Sequence, residues 1–227
     1  LGLARNWQPT LVLLGRSPAP TGKYAWCNNT PAGDLKKVLM ERLRAEKGAV
    51  TPKELEAVYK DVLAEREITE TLNDLRAAGS TVEYRSVDVR DEKQVADVVR
   101  DVRKLGTIHG IIHGAGVIQD KLIEQKTPEM FDAVFDTKVF GLRHVLEATR
   151  GDDLRLMVFF SSIAGRSGNK GQADYAMANE VLNKMAQELR TQRPNCLISA
   201  MGWGPWQGGM VTPELERAFL AQGISAI

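Results

Sequence analysis

The 227-residue sequence contains little of what marks secreted, membrane or nucleic-acid-binding proteins. Its two cysteines, Cys27 and Cys196, are too few for a disulfide framework, and neither lies in a C-x-x-C motif. A reducing cytoplasm is therefore the expected compartment. No apolar run approaches the length of a membrane span, and no signal peptide opens the chain. The 30 basic and 29 acidic residues leave a net charge of +1, which gives no electrostatic reason to expect nucleic acid or a membrane as partner.

Histidines are also scarce, and they give no pattern for a metal site. His109 and His144 have no carboxylate or cysteine at the spacing that metal ligands require. His113 lies in the run IHGIIHGAG, which predicts a strand, so we expect a structural role for this residue. The sequence therefore predicts no metal centre.

An apolar strand followed by hydroxyl side chains is the most informative part of the chain. Residues 156–160 (LMVFF) are too few for a helix and predict a buried strand, which stops at Ser161 and Ser162. A glycine-rich loop follows, and Tyr175 then opens a helix. Open α/β folds bind ligands at the carboxyl edge of their sheets, so these hydroxyl groups predict a site at that edge.

Ser162, Tyr175 and Asn179 resemble the active site of short-chain dehydrogenase/reductases, and their spacing is similar to that in the ketoreductase domains of polyketide and polyunsaturated fatty acid synthases. Most of the superfamily has lysine where this sequence has Asn179. The ketoreductase branch exchanges that lysine with an asparagine on the preceding helix, and Lys138 stands at the exchanged position. In this register Ser161 is expected to be a packing residue.

The resemblance implies a role for each of the four residues. Tyr175 is expected to donate the proton and Ser162 to hydrogen-bond the oxyanion that develops on a ketone. Lys138 is expected to lower the pKa of Tyr175 and to hold the nicotinamide ribose, because a nearby ammonium favours the phenolate. Asn179 is expected to order the helix and a water relay.

The whole chain, residues 1–227, suits one α/β domain, and the resemblance implies a Rossmann-like, doubly wound parallel sheet. Family members have an earlier strand and a Gly-rich loop whose N–H groups meet the cofactor pyrophosphate. Both are missing from this sequence, and Leu1 is no natural start. We therefore expect a fragment of a longer polypeptide.

A helical insertion is predicted after the second strand of the expected fold, over about residues 18–50. Residues 18–33 are rich in Pro, Gly, Asn and Thr and predict a loop, after which Asp34 is expected to cap a helix. Thr51 and Glu54 then form a capping box for the next helix. A compact reductase needs one helix here, so the first is the extra one. Two interpretations stay open: docking to a neighbouring domain, or a solvated helical addition.

The segment Gly15-Arg16-Ser17 follows the second expected strand, where a nicotinamide enzyme selects its cofactor. An arginine there pairs with a 2′-phosphate through its fork of donors, which predicts NADPH; the alternative is a solvated arginine in a turn. By the resemblance, the other residues expected to contact the cofactor are Asp88, Val89, Gly114, Ala115, Gly116 and Pro205.

One aspartate is expected to direct the stereochemistry of reduction. B-type ketoreductases carry Leu-Asp-Asp after the glycine-rich turn, and this sequence has Ile118-Gln119-Asp120. The A-type marker, a tryptophan eight residues before the tyrosine, is replaced by Ser167. Asp120 is therefore the expected stereocontrol residue, the alternative being a helix cap. Trp206 and Met210 lie in the segment that covers the substrate in the family.

Three functions are compatible with these residues. The leading hypothesis is an NADPH-dependent β-ketoacyl reductase domain of a polyketide or polyunsaturated fatty acid synthase. Its substrate would be tethered to an acyl carrier protein, and its partners would be neighbouring synthase domains. The alternatives are a free-standing short-chain carbonyl reductase and a catalytically silent structural domain, against which the intact set of four residues weighs.

Overall fold

The structure is a computed structural model that describes residues 1–206, 217 and 220. The chain packs into two compact units, Leu1–Asp88 and a second that begins at Val89. The parallel strands are β1 (Leu11–Gly15), β2 (Val82–Ser86), β3 (Gly110–His113), β4 (Leu156–Ser162) and β5 (Leu197–Trp203). The helices are α1 (Gly2–Trp7), α2 (Ala32–Lys47), α3 (Pro52–Ala77), α4 (Glu92–Val102), α5 (Pro128–Phe135), α6 (Gly141–Ala148), α7 (Ala164–Ser167) and α8 (Ala173–Gln192). This arrangement confirms the α/β class.

The first unit contains a two-stranded parallel sheet. Strands β1 and β2 pair from Leu11 opposite Val82 to Gly15 opposite Ser86. The two strands are joined through α2 and α3, since parallel neighbours need a crossover connection. The core at the base of this sheet consists of Ala4, Leu72, Leu75 and Val82.

The predicted insertion has a hydrophobic core of its own. Helix α2 packs against α3, and this cluster contains Tyr24, Cys27, Leu35, Leu39, Leu43, Leu55 and Val62. The capping box is confirmed, because Thr51 Oγ1 accepts from the Glu54 N–H at 3.2 Å and the Glu54 carboxylate accepts from the Thr51 N–H at 2.9 Å. The prediction that Asp34 caps α2 is wrong. The helix begins two residues earlier, so Asp34 lies in its first turn, where a carboxylate still favours the helix dipole.

The separate core leads to a prediction for Leu39, which is 1% exposed. Changing Leu39→Ala should destabilise the helical insertion by about 2–5 kcal/mol, because the substitution leaves a cavity. Reduction of a small ketone should stay within about two-fold, since α2 supplies no residue of the expected site. Hydrogen exchange of α2 amides and steady-state kinetics measure the two effects.

Leu63→Ala is the matched control, because Leu63 lies on α3 but is 38% exposed and should change stability by about 0.5 kcal/mol or less. A ten-fold loss of activity in Leu39→Ala, with α2 still protected from exchange, would contradict the expectation that the insertion contributes nothing to the reaction.

The second unit contains a three-stranded parallel sheet with β4 at its centre. Alternate residues of β4 point into a core between one sheet face and helices α6 and α8, so Met157 and Phe159 are fully buried. Strand β4 ends at Ser162, opposite Trp203 of β5. Ser162 therefore lies at the carboxyl edge of this sheet, as predicted.

A π-helical turn interrupts the helix that carries Lys138. Helix α5 begins at Pro128 after the Thr127 cap, but residues Asp136–Phe140 form one wide turn before α6 continues. Three consecutive side chains in this turn, those of Thr137, Lys138 and Val139, are buried. Such turns are often found at functional sites. Among the helices of residues 1–206, none is long and apolar enough to cross a membrane.

Candidate active site

The two serines at the end of β4 make different contacts. Ser161 is 3% exposed, and its hydroxyl donates to the Asn179 carbonyl oxygen at 3.1 Å, which ties the strand to α8. Ser162 lies on the opposite face of the strand, and its Oγ accepts a hydrogen bond from the Ala164 N–H at 3.2 Å. The Ser162 oxygen is thereby oriented while its own O–H can donate to a substrate oxygen.

Helix α8 positions both Tyr175 and Asn179. Asn179 is fully buried, and its side-chain amide donates to the Tyr175 carbonyl oxygen at 2.8 Å. Its Oδ1 is buried without a protein partner, which is the acceptor that a bound water would satisfy. Gly165 permits α7 to lie close to α8, because a Cβ there would be 3.0 Å from the Glu180 backbone nitrogen.

The π turn places the Lys138 ammonium beside the tyrosine. Nζ donates to the Phe160 carbonyl oxygen at 2.9 Å and lies 5.5 Å from the centre of the Tyr175 ring. The residue is 2% exposed, and burial lowers its pKa to about 8. Gly116 follows β3 and leaves room for this side chain, since a Cβ at that position would be 3.1 Å from Lys138 Cε.

His113 holds the same turn from the sheet side. Its Nε2 lies 2.9 Å from the Lys138 carbonyl oxygen, and burial lowers the pKa of His113 to about 4. The imidazole is therefore neutral at pH 7, and its Nε2–H donates to that carbonyl. The structural role predicted for His113 is confirmed.

The pKa of Tyr175 is raised, where the sequence argument predicted that it would be lowered. Burial of the phenol is the main cause, and the charge of Asp120 acts in the same direction. Hydrogen bonding to Ser162 and Asn179 acts in the opposite direction. The Lys138 ammonium is itself desolvated and bound to the Phe160 carbonyl, so it does not outweigh the burial of the tyrosine.

Asp120 lies after β3 in the loop that faces the start of α8. The residue as a whole is exposed, yet its Oδ2 accepts a hydrogen bond from the Gln172 amide at 2.9 Å. Partial burial of the carboxyl group raises the pKa of Asp120. Gln172 is the N-cap residue of α8, so Asp120 is attached to the helix that carries Tyr175. Asp120 does not cap a helix itself.

The residues predicted to select the cofactor lie in the first unit, at the end of β1. Gly15 has no room for a side chain, because a Cβ would be 2.6 Å from Tyr84 Oη. Tyr84 donates to the Ser17 carbonyl oxygen at 2.8 Å, and Ser86 donates to the Arg16 carbonyl oxygen at 3.3 Å. Sequence reasoning missed Tyr84 and Ser86, although β1–β2 pairing brings them to this edge.

A cavity of about 230 Å³ lies between this edge and α3. Its wall includes Gly15, Arg16 and Ser17 together with Thr71 of α3. The Arg16 side chain is exposed, so its guanidinium is accessible to a ligand phosphate. The glycine, the accessible arginine and the cavity fit the part of a nucleotide cofactor that carries a 2′-phosphate.

The remaining predicted residues are divided between described and undescribed parts of the chain. Asp88 follows β2 in the first unit, whereas Val89 begins the second unit. Gly114 and Ala115 follow β3, next to Gly116.

Pro205 follows β5, and Trp206 belongs to an aromatic cluster with Phe160 and Trp203, at ring distances of 5.9 and 4.8 Å. Met210 lies outside the described residues. Within the described part of the chain, no group of three or more His, Cys, Asp or Glu side chains could hold a metal ion.

Comparison with known proteins shows the family. The model of the KR domain matches residues 3–208, so this chain belongs to the KR domain family of ketoreductases, which are oxidoreductases. A polyunsaturated fatty acid synthase protein of Thraustochytrium sp. is 38% identical over 224 residues, covering 95% of this chain and 8% of that protein. The spectinabilin polyketide synthase system protein NorB of Streptomyces orinoci is 37% identical over 155 residues, covering 68% of this chain and 7% of that protein.

Solved structures agree with this assignment. A ketoreductase domain from the bacillaene assembly line has a TM-score of 0.69 and 29% sequence identity, covering 99% of this chain and 46% of that one. The resemblance to ketoreductase domains of polyketide and polyunsaturated fatty acid synthases is confirmed. The chain spans less than a tenth of the synthases that it matches.

Proposed function

We propose that this chain is an NADPH-dependent β-ketoacyl reductase domain, which reduces the ketone of a 3-ketoacyl thioester to a 3-hydroxyacyl thioester. The observation that carries the proposal is the arrangement of Ser162, Tyr175, Lys138 and Asn179 around the carboxyl end of β4 and the start of α8. Membership of the KR domain family supports the reaction class. It also supports a nicotinamide cofactor, which the fold of these enzymes binds.

Negative charge develops on the ketone oxygen during reduction, and the residues of the proposed site can stabilise that charge and protonate the oxygen. The nicotinamide cofactor, when bound, supplies the hydride. The Ser162 O–H can donate to the ketone oxygen in place of Tyr175, which would stabilise the developing charge. Tyr175 transfers its proton to the same oxygen, and the raised pKa keeps the tyrosine protonated before reaction.

Lys138 and Asn179 support the proton donor. The Lys138 ammonium lies over the Tyr175 ring. It stabilises the negative charge of the phenolate that forms when Tyr175 gives up its proton. The unpaired Asn179 Oδ1 is placed to hold a water at the base of the site. Together these residues fit a relay that returns a proton to Tyr175 after each turnover.

The proposed substrate carrier is an acyl carrier protein, and the proposed partners are neighbouring domains of one synthase. Support comes from the relatives, of which this chain covers only 8% and 7%, so the matched region is one part of a much longer polypeptide. Oxidation of NADPH by 3-ketobutyryl thioester tests the proposal. The assay is made in a chain that includes the upstream strand and Gly-rich loop expected from the family. Absence of turnover with bound NADPH would overturn it.

The stereochemical prediction is an R-configured 3-hydroxybutyryl product. Asp120 is held beside the start of α8 by Gln172, and Ser167 stands where A-type enzymes carry tryptophan. Chiral chromatography of the product measures the outcome. A predominantly S alcohol would mean that Asp120 does not direct the substrate.

A further inference from the structure

A buried ion pair joins two segments beside the proposed site. Lys126 Nζ lies 2.7 Å from Asp174 Oδ2, and the two side chains are 5% and 1% exposed. Lys126 lies at the end of the loop after β3, here named the Asp120 loop (residues 117–126). Asp174 lies in the first turn of α8, next to Tyr175. No family motif described above includes either residue.

Each member of the pair has a second backbone contact. Lys126 Nζ also donates to the Gln119 carbonyl oxygen at 2.7 Å, immediately before Asp120. Asp174 Oδ1 accepts from the backbone N–H of Tyr175 at 2.9 Å. The ion pair therefore connects the backbone that precedes Asp120 to the backbone of the proposed proton donor.

Further hydrogen bonds join the same two segments. The Lys121 N–H donates to the Gly171 carbonyl oxygen at 3.0 Å, and Gln172 donates to Asp120 at 2.9 Å. Asn169 in turn donates to Gln172 Oε1 at 3.0 Å, which fixes the amide that holds Asp120. The Asp120 loop is thus attached to the start of α8 at three separate points.

Stability alone does not account for a buried ion pair. Removing two charges from water costs about as much as their attraction returns, and apolar replacements are often equally stable. The pair fixes the position of the Asp120 loop relative to the first turn of α8, because each ion has two partners in defined positions. A site that distinguishes two faces of a ketone requires such fixed geometry.

We propose that Lys126 and Asp174 are positioning residues that fix the Asp120 loop against the first turn of α8 and thereby determine which face of the ketone is reduced. The inference rests on the proposed ketoreduction. It assigns no contact with substrate to either residue. The pair acts through Asp120 on one side and through the Tyr175 backbone on the other.

The double variant Lys126→Met, Asp174→Asn tests this proposal. It removes both charges together, so no unpaired charge is left buried, and the side-chain amide introduced in place of the aspartate keeps an oxygen for the Tyr175 N–H. The R:S ratio of the 3-hydroxybutyryl product should fall by about ten-fold or more, since displacements of about 1 Å have effects of this order. The dissociation constant for NADPH should stay within about two-fold.

Lys184→Met is the matched control. It removes an exposed ion pair with Glu180 on the same helix, in which the Lys184 side chain is 63% exposed, so the R:S ratio should not change. A double variant with a lower melting temperature and the wild-type ratio would show a merely structural role and overturn the proposal.

A second measurement separates this proposal from the proposed function. Hydrogen exchange of amides 117–126 should be faster in the double variant and unchanged in Lys184→Met. If the wild-type chain binds NADPH but reduces no 3-ketoacyl thioester, the proposed function is wrong, and so is the role of Lys126 and Asp174 in stereocontrol. Hydrogen exchange would then be the remaining test of whether the ion pair fixes the Asp120 loop. Faster exchange of amides 117–126 in the double variant supports this part of the proposal, and unchanged exchange overturns it.

Discussion

The substitution Tyr175→Phe should reduce the turnover of a 3-ketoacyl thioester by about 10²–10⁴-fold, which is the usual contribution of a positioned general acid. The ring that packs beneath the Lys138 ammonium stays in place, and only the proton donor is lost. Affinity for NADPH should therefore stay within a few-fold. Single-turnover kinetics and a direct binding titration measure the two quantities separately.

Tyr59→Phe is the control for loss of a tyrosine hydroxyl. Tyr59 packs against the hydrophobic core of the helical insertion and is not among the residues assigned to the reaction. Its removal should leave turnover within about two-fold. Near wild-type turnover in Tyr175→Phe would show that another group protonates the ketone.

Arg16→Ala should raise the Michaelis constant for NADPH by about one to two decades, and that for NADH much less. The lost interaction is a charge-assisted pair with a phosphate, worth about 1.5–3 kcal/mol. Arg16 is exposed at the cavity beside α3, so its guanidinium can reach such a group without rearrangement. Initial rates with each cofactor at saturating thioester measure the difference.

Arg85→Ala is the neighbouring control. Arg85 lies opposite Leu14 in the β1–β2 pairing and is engaged by Glu83. Its loss should change both Michaelis constants by less than about two-fold. Equal increases for NADPH and NADH in Arg16→Ala would exclude a 2′-phosphate contact.

Local sequence patterns predicted the strand and the helix that carry the site. The apolar run before Ser161 indicated a buried strand, and the strand extends two residues further than expected, to Ser162. The Thr51 cap was predicted because a threonine followed at once by proline, and three residues later by glutamate, is a strong local signal. Strand ends were less certain: the strand predicted over residues 108–116 covers Gly110–His113.

The features that sequence reasoning missed depend on contacts between distant residues. The partners of Lys126 and Tyr84 lie 48 and 67 residues away, and no local pattern connects them. The raised pKa of Tyr175 follows from how far α8 buries the phenol, which spacing alone does not report. The prediction of a single domain and the roles assigned to the site residues remain predictions.

The π turn at Asp136–Phe140 has a consequence for comparing related chains. Such a turn holds one residue more than a regular α-helix, in which each residue advances by about 100°. The Thr127 cap fixes one end of this segment, and the buried Leu142 fixes the other. Removing one residue between Thr127 and Lys138 would turn the lysine by about 100° relative to the cap, away from Tyr175. A one-residue gap before Lys138 in an alignment therefore predicts loss of the ammonium from the tyrosine, as substitution of the lysine would.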